Sequence, residues 1–418
     1  MDHEEKSNTP SPQPGQAQNI ISEDHLNSLK QKMHSPNIIN SNNNGELVLD
    51  IYQQYKQTYS DKYCHPPGSE AQTPPHWVAK PTINKSQSHT WNIKSNNSFF
   101  NRNTVVQRYS MRADTILCAL SFKQDGSCFA YADSHNVFLM RSQDGSLINT
   151  WEIPSLATKS NLQTRVLEFS PNSNYLALGV STDKIMLITL NSESPPIILK
   201  GHIGQVTSLL FSESDNSLIS GGYDGYLCFW DLDKKSLIKI IKHRDEKNLN
   251  NRTNVEGKIV ALAYSSDKQY IAVGFMDGIV GIYENNFSKE MMKFTAHDQY
   301  LFDLAISKAN GLLATASADF SVRLWNLNAV AEYQKSLLGH SNIVMTISFS
   351  NLDSVIFTGS KDEMMIGWKI ESGEQLFTIE FHENTVFKII HHPNERSFLS
   401  CSGDGMISMW DYSLPEKL

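Results

Sequence analysis

The sequence predicts an all-β fold, a closed ring of repeated four-stranded sheets preceded by a largely disordered tail. Three observations lead there. A set of His, Ser or Thr, Asp and Trp returns four times at fixed spacing. Short apolar, β-branched runs alternate with turn residues through the same region. Residues 1–98 have neither property.

The repeat comes first. From about residue 104 the chain echoes itself at roughly 42-residue intervals, a period in the range of propeller blades. In GHIGQVTSLLFSESDNSLISGGYDGYLCFWD, His202 is followed 18 residues later by Ser220, 22 later by Asp224 and 28 later by Trp230. The same offsets give His297, Thr315, Asp319 and Trp325, then His340, Thr358, Asp362 and Trp368, then His382, Ser400, Asp404 and Trp410. Each unit reads as short strands parted by turns: QVTSLLFS, SLISGG, YLCFWD, SLIKII. The runs carry little polar alternation, as expected of sheets covered on both faces.

These residues resemble those of WD-repeat proteins over about three quarters of the chain. The resemblance implies a four-stranded antiparallel sheet per repeat, set radially around a channel. Three further units keep the hydrophobic register and lose most of the polar set: ILCALSFKQDGSCFAYADSHNVFLMRS, RVLEFSPNSNYLALGVSTDKIMLITL with Asp183, and IVALAYSSDKQYIAVGFMDGIVGIYE with Asp277 and Tyr283. Four full and three degenerate units make a seven-bladed WD-repeat β-propeller over residues 99–418. After Trp410 no apolar run remains to supply a fourth strand, which would leave a row of unpaired backbone groups. FFNRNTVVQRYSM, around Val105 and Val106, is apolar and belongs to no repeat. Residues 99–110 are therefore expected to pair beside the Trp410 strand and close the ring.

Residues 1–98 read as a low-complexity tail. SPQPGQAQN, INSNNNGE and NKSQSHTWNIKSNNS are rich in Asn, Ser, Gln and Pro, and bury too little apolar surface to offset the entropy of ordering them. Helical spacing appears near 23–34 (Leu26, Leu29, Met33) and near 46–59 (Leu47, Ile51, Tyr55, Tyr59). Both are expected as short helices that dock on a partner or on this chain. Thr9, Ser11, Ser35 and Thr73 each precede a proline and are candidate phosphorylation sites. A net charge of −8 argues against a protein whose main work is to neutralise a phosphate backbone. The five cysteines form no CxxC pair, MDHEEKSNTPSP is unlike a signal peptide, and no run of about 18 apolar residues offers a membrane span. The expectation is an intracellular soluble protein.

Ser, His and Asp at one site also invite a nucleophile reading. Catalysis by such a triad needs an exposed hydroxyl, an oxyanion hole and a cleft. A set repeated in every well-kept unit has instead the logic of a brace: Trp donates, Ser or Thr and His both donate and accept, and Asp accepts. Cys64-His65 and His391-His392 lack companions at ligand spacing, so no metal and no cofactor is expected. Gly221 to Gly225 form a turn without the Lys-Ser/Thr of a phosphate loop. What remains is a surface. The residue three beyond each brace His starts the innermost strand at the channel mouth, giving Ile116, Gln163, Gln205, Lys258, Tyr300, Ile343 and Thr385 as candidate partner contacts.

The first unit ends in NVFLMRSQDGSLI, a long connection TWEIPSLATKSNLQT follows, and SADFSVRLWNLNAV and GHSNIVMTISFSNLDSVIFTGSKDEMMIGWKIESGEQL come later. Together they resemble the propeller of the fungal Tup-type general transcriptional corepressors, relatives in architecture of Groucho. The resemblance implies a non-enzymatic nuclear protein whose partners are DNA-binding repressors and adaptor or chromatin factors. It implies no direct nucleic acid, membrane or small-molecule substrate. The other expectation for the same ring is a scaffold subunit of an RNA-processing, chromatin or ubiquitin-ligase complex.

Overall fold

Apolar runs bounded by turns become strands throughout. The computed structural model describes residues 82–84, 91–95, 99–101, 103–113, 115–153, 164–180, 183–243, 255–309, 311–329 and 331–415. Every described residue belongs to one compact unit, Pro67–Leu418. The helices expected near 23–34 and 46–59 lie outside the described residues, as do the four Ser/Thr-Pro sites.

Seven antiparallel sheets form seven blades. From inner to outer strand, blade 1 is Leu120–Phe122, Cys128–Ala132, Asn136–Arg141 and Leu147–Glu152. Blade 2 is Leu167–Phe169, Tyr175–Val180, Lys184–Thr189 and Ile197–Lys200. Blade 3 is Val206–Phe211, Ser217–Gly222, Tyr226–Asp231 and Ser236–Lys242. Blade 4 is Ile259–Tyr264, Tyr270–Phe275, Ile279–Glu284 and Glu290–Thr295. Blade 5 is Leu301–Ile306, Leu312–Ser317, Ser321–Asn326 and Glu332–Leu338. Blade 6 is Val344–Phe349, Val355–Ser360, Met364–Lys369 and Gln375–Glu380. Blade 7 takes Val386–His391, Ser397–Ser402 and Met406–Tyr412 from its own repeat. Innermost strands of successive blades lie side by side all the way round, that of blade 7 against that of blade 1.

Each of the seven seams between blades holds its own apolar cluster. Ile356, Ile366 and Trp368 of blade 6, for example, pack on Ala314, Leu324 and Leu337 of blade 5. Both faces of a sheet are thus buried, which explains the near-continuous apolar runs. Burying a side chain such as Ile or Leu contributes about 1.5–3 kcal/mol, so the seams hold the ring together.

The strand missing after Trp410 comes from the other end of the domain. Val105–Arg112 lies antiparallel to Met406–Tyr412, with Val105 opposite Tyr412 and Arg112 opposite Met406. The expected span of 99–110 is displaced to these residues because pairing follows the apolar face: Val105 and Met111 are fully buried. Arg108 sits at a bulge in the pairing and grips Asp411 with Nε and Nη2 while reaching Glu395 at 2.8 Å. Ordered sheet also begins before residue 99. Thr82–Asn84 pairs with the closing strand, and Asn92–Lys94 pairs with the outer strand of blade 6.

Candidate partner-binding mouth

In blade 3, His202 comes from the loop before the inner strand, Ser220 from the second strand, Asp224 from the turn after it and Trp230 from the third strand. Trp230 Nε1 donates to Ser220 Oγ at 2.8 Å, Ser220 Oγ lies 2.8 Å from His202 Nε2, and His202 Nδ1 lies 2.9 Å from Asp224 Oδ2. One proton order satisfies every group: the hydroxyl accepts from Trp and donates to Nε2, and the N–H on Nδ1 donates to Asp. Blade 5 repeats this with His297, Thr315, Asp319 and Trp325 at 2.8, 2.8 and 3.0 Å. Blade 6 does so with His340, Thr358, Asp362 and Trp368. Blade 7 does so with His382, Ser400, Asp404 and Trp410.

The aspartates hold more than the imidazole. Asp224 also accepts the N–H of Ile203 and Tyr226, Asp362 those of Ser341 and Met364, and Asp404 those of Glu383 and Met406. Burial pushes these carboxyls up, but the imidazole and backbone donors outweigh it and hold all four below the usual carboxylate range. The hydroxyls of Ser220, Thr315, Thr358 and Ser400 belong to fully buried residues. A hydroxyl sealed from solvent and already bonded on both sides cannot meet a substrate.

The same turns bring the mouth residues into one ring. The carbonyl of Gln205 accepts the N–H of Tyr223 at 2.9 Å, that of Lys258 accepts Met276, that of Tyr300 accepts Ala318, that of Ile343 accepts Lys361, and that of Thr385 accepts Gly403. These five positions are therefore equivalent in blades 3 to 7. Gln205, Lys258, Tyr300 and Ile343 are half-buried, as is Ile116 in blade 1, while Gln163 lies outside the described residues. Thr385 corrects the expectation: only 1% of it is exposed, and it offers no contact surface. Lys258 Nζ stands 5.8 Å from the centre of the Tyr223 ring. Desolvation raises the Tyr300 hydroxyl above its ordinary pKa.

One functional candidate escaped the spacing argument. In blades 3 to 7 the residue after the turn aspartate has positive φ: Gly225, Gly278 and Gly405 in blades 3, 4 and 7, but Phe320 (φ 69°) in blade 5 and Glu363 (φ 73°) in blade 6. A Cβ at Gly278 would lie 2.1 Å from the His297 carbonyl oxygen and one at Gly405 2.7 Å from that of Ala113, so those turns require glycine. Blades 5 and 6 place side chains there instead. The signal was legible: ADF and KDE stand where YDG, MDG and GDG stand elsewhere.

The WD domain, G-beta repeat family matches residues 193–231, 288–326, 331–369 and 373–411. Each match runs from the outer strand of one blade through the third strand of the next and ends just past one of the four bonded tryptophans. The chain is a WD-repeat β-propeller. Among many similar proteins is Periodic tryptophan protein 2 of Arabidopsis thaliana, 24% identical over 51% of this chain and 22% of that protein. A U3 snoRNP-associated protein-like chain of the same plant is 25% identical over 53% of this chain and 47% of its own length. Apoptotic protease-activating factor 1 of Rattus norvegicus is 26% identical over 78% of this chain and 28% of its own. The chain thus spans less than half the length of these relatives.

For the propeller, the histidine pair at 391–392 resolves into structural bonds. His391 Nε2 meets the Tyr412 hydroxyl at 2.7 Å, and His392 Nε2 meets the Gly126 carbonyl of blade 1 at 2.9 Å. Among the described residues no group of His, Cys, Asp and Glu is arranged to hold a metal ion. Cys64-His65 lies outside them.

Proposed function

We propose that this propeller is a non-enzymatic protein-interaction scaffold and a subunit of an RNA-processing assembly, and that it engages its partner at the channel mouth over blades 5 and 6. One coincidence carries the choice of surface: among blades 3 to 7, whose mouth positions are equivalent, the two that carry apolar mouth residues, Tyr300 and Ile343, are also those with Phe320 and Glu363 at left-handed φ. A side chain at such φ costs about 1–3 kcal/mol, and strain of this kind gathers at ligand clamps. Exposed Asp298, Glu363 and Glu383 stand on the same face. The matching partner is a basic protein segment with an apolar anchor. The four buried, internally bonded His–Asp sets act as braces in this reading and take no part in chemistry.

The U3 snoRNP association named in one relative favours the RNA-processing assembly. The corepressor reading rests on the sequence resemblance alone, and a nuclear location suits both. The test is purification of the tagged full chain from its own cells with identification of bound protein and RNA. Small nucleolar ribonucleoprotein components are expected with the wild type. Tyr300→Ala and Phe320→Gly should each reduce them about tenfold without lowering the melting temperature. Recovery of DNA-binding repressors and deacetylases instead would restore corepression, and unchanged recovery in both variants would move the contact away from blade 5.

A further inference from the structure

Blade 6 has four strands of its own, yet its outer edge carries a fifth. Asn92–Lys94 pairs with Gln375–Glu380, placing Asn92 opposite Glu380, Ile93 opposite Ile379 and Lys94 opposite Thr378. The sheets of blades 1 to 5 stop at four strands among the described residues, so a propeller blade does not need this addition. Its alternate side chains sort by chemistry. Trp91 stands edge-on to Trp410, ring centres 5.3 Å apart and planes at 83°. Ile93 packs on the apolar seam between blades 6 and 7. Asn92 and Lys94 go to Glu380: the amide Nδ2 lies 3.3 Å from its carboxylate, and the ammonium pairs with it. Ser95 then donates to the Leu376 carbonyl.

This is the anatomy of peptide capture at a sheet edge, in which main-chain pairing supplies affinity and alternate side-chain positions supply specificity. We propose that the outer edge of blade 6, with the Trp410 ring and the Glu380 carboxylate, is a docking site for an extended segment of a partner protein. The segment carries an aromatic residue, two positions later an aliphatic one, and then a lysine or arginine. Residues 91–95 are its intramolecular occupant. The site is separate from the channel mouth and does not depend on what the mouth binds.

Two features favour exchange over permanent fastening. The pairing extends over three residues only, against seven for the closing strand on blade 7. Lys94, which supplies the charge recognised by Glu380, remains 65% exposed. An occupant held in the same chain lowers the apparent affinity of an external peptide by the fraction of time the edge is free. Weakening the occupant must therefore strengthen capture from outside.

The experiment uses the full chain and a fluorescent peptide, TWNIKS, followed by anisotropy. The doubly substituted Trp91→Ala, Ile93→Ala chain is expected to bind the peptide saturably, at least about tenfold more tightly than wild type does. A peptide with Ala in place of its Trp should not bind. Lys94→Glu changes only an exposed side chain and keeps the test valid should the double variant fail to fold; it is expected to capture the peptide about threefold better than wild type. Absence of saturable binding to any folded variant, or equal affinity for wild type and variants, would overturn the proposal. Light scattering adds the last outcome: a wild-type dimer that Trp91→Ala, Ile93→Ala abolishes would make a second copy the occupant and overturn the foreign-partner assignment.

Discussion

Blades 3 and 4 are neighbours with the same four strands, yet they fill the same seam positions with opposite chemistry. Where blade 3 has His202, Ser220 and Trp230, blade 4 has Val255, Val273 and Tyr283, at the same offsets from Asp277 as the former have from Asp224. Val255 and Val273 are buried, and the Tyr283 hydroxyl turns to Glu290 at 2.8 Å. Asp277 has lost its imidazole; burial dominates, and its carboxyl is raised where that of Asp224 is lowered. Both blades close. A propeller blade therefore requires a filled seam, and the hydrogen-bonded chain is one filling among others. What that chain adds is mutual dependence, since each buried polar group relies on the next.

The largest expected break in this comparison comes from Asp362→Ala. It strands the His340 N–H and the amides of Ser341 and Met364, and at about 1–3 kcal/mol for a stranded buried group should cost on the order of 3 kcal/mol in urea unfolding. Next is the conversion of blade 3 to the blade 4 pattern by His202→Val, Ser220→Val and Trp230→Tyr together. The triple change should cost less than the sum of the single ones by about 1–2 kcal/mol, the coupling typical of residues in one network. Additive losses would show that the four groups act separately.

The pH dependence sharpens the contrast further. A carboxyl lowered in the fold stabilises above its unfolded value, near pH 4, and that contribution disappears as pH falls through the folded value. Wild type should therefore exceed Asp224→Asn in melting temperature at neutral pH, and the gap should close on acidification below about pH 4. Asp277 has the reverse sign, so wild type should gain on Asp277→Asn as the medium is acidified towards pH 4. The smallest effect is Asp277→Ala at neutral pH, expected within about 0.5 kcal/mol of wild type or slightly stabilising.

Much of this was legible because it is local. Each His–Asp set spans fewer than thirty residues of chain, so a fixed offset in sequence becomes a fixed place in a blade. The closing strand was legible by subtraction, from the absence of an apolar run after Trp410 and the presence of one around Val105. Asn92–Lys94 was not. Three residues in an Asn- and Ser-rich stretch carry no periodicity, and they form a strand because of the edge they meet. Thr385 failed for a related reason: repeat spacing places a backbone position on the rim and says nothing of how deeply its side chain lies under neighbouring residues. Phe320 was visible all along as an aromatic in a glycine's place.

The join between Val105–Arg112 and Met406–Tyr412 also sets a timetable. At synthesis rates of roughly 5–20 residues per second, the first edge leaves the ribosome some 15–60 seconds before its mate exists. Through that interval the β-branched face around Val105 has to be shielded by something other than its final neighbour. The last stitch in the ring is necessarily made after translation of this segment has ended.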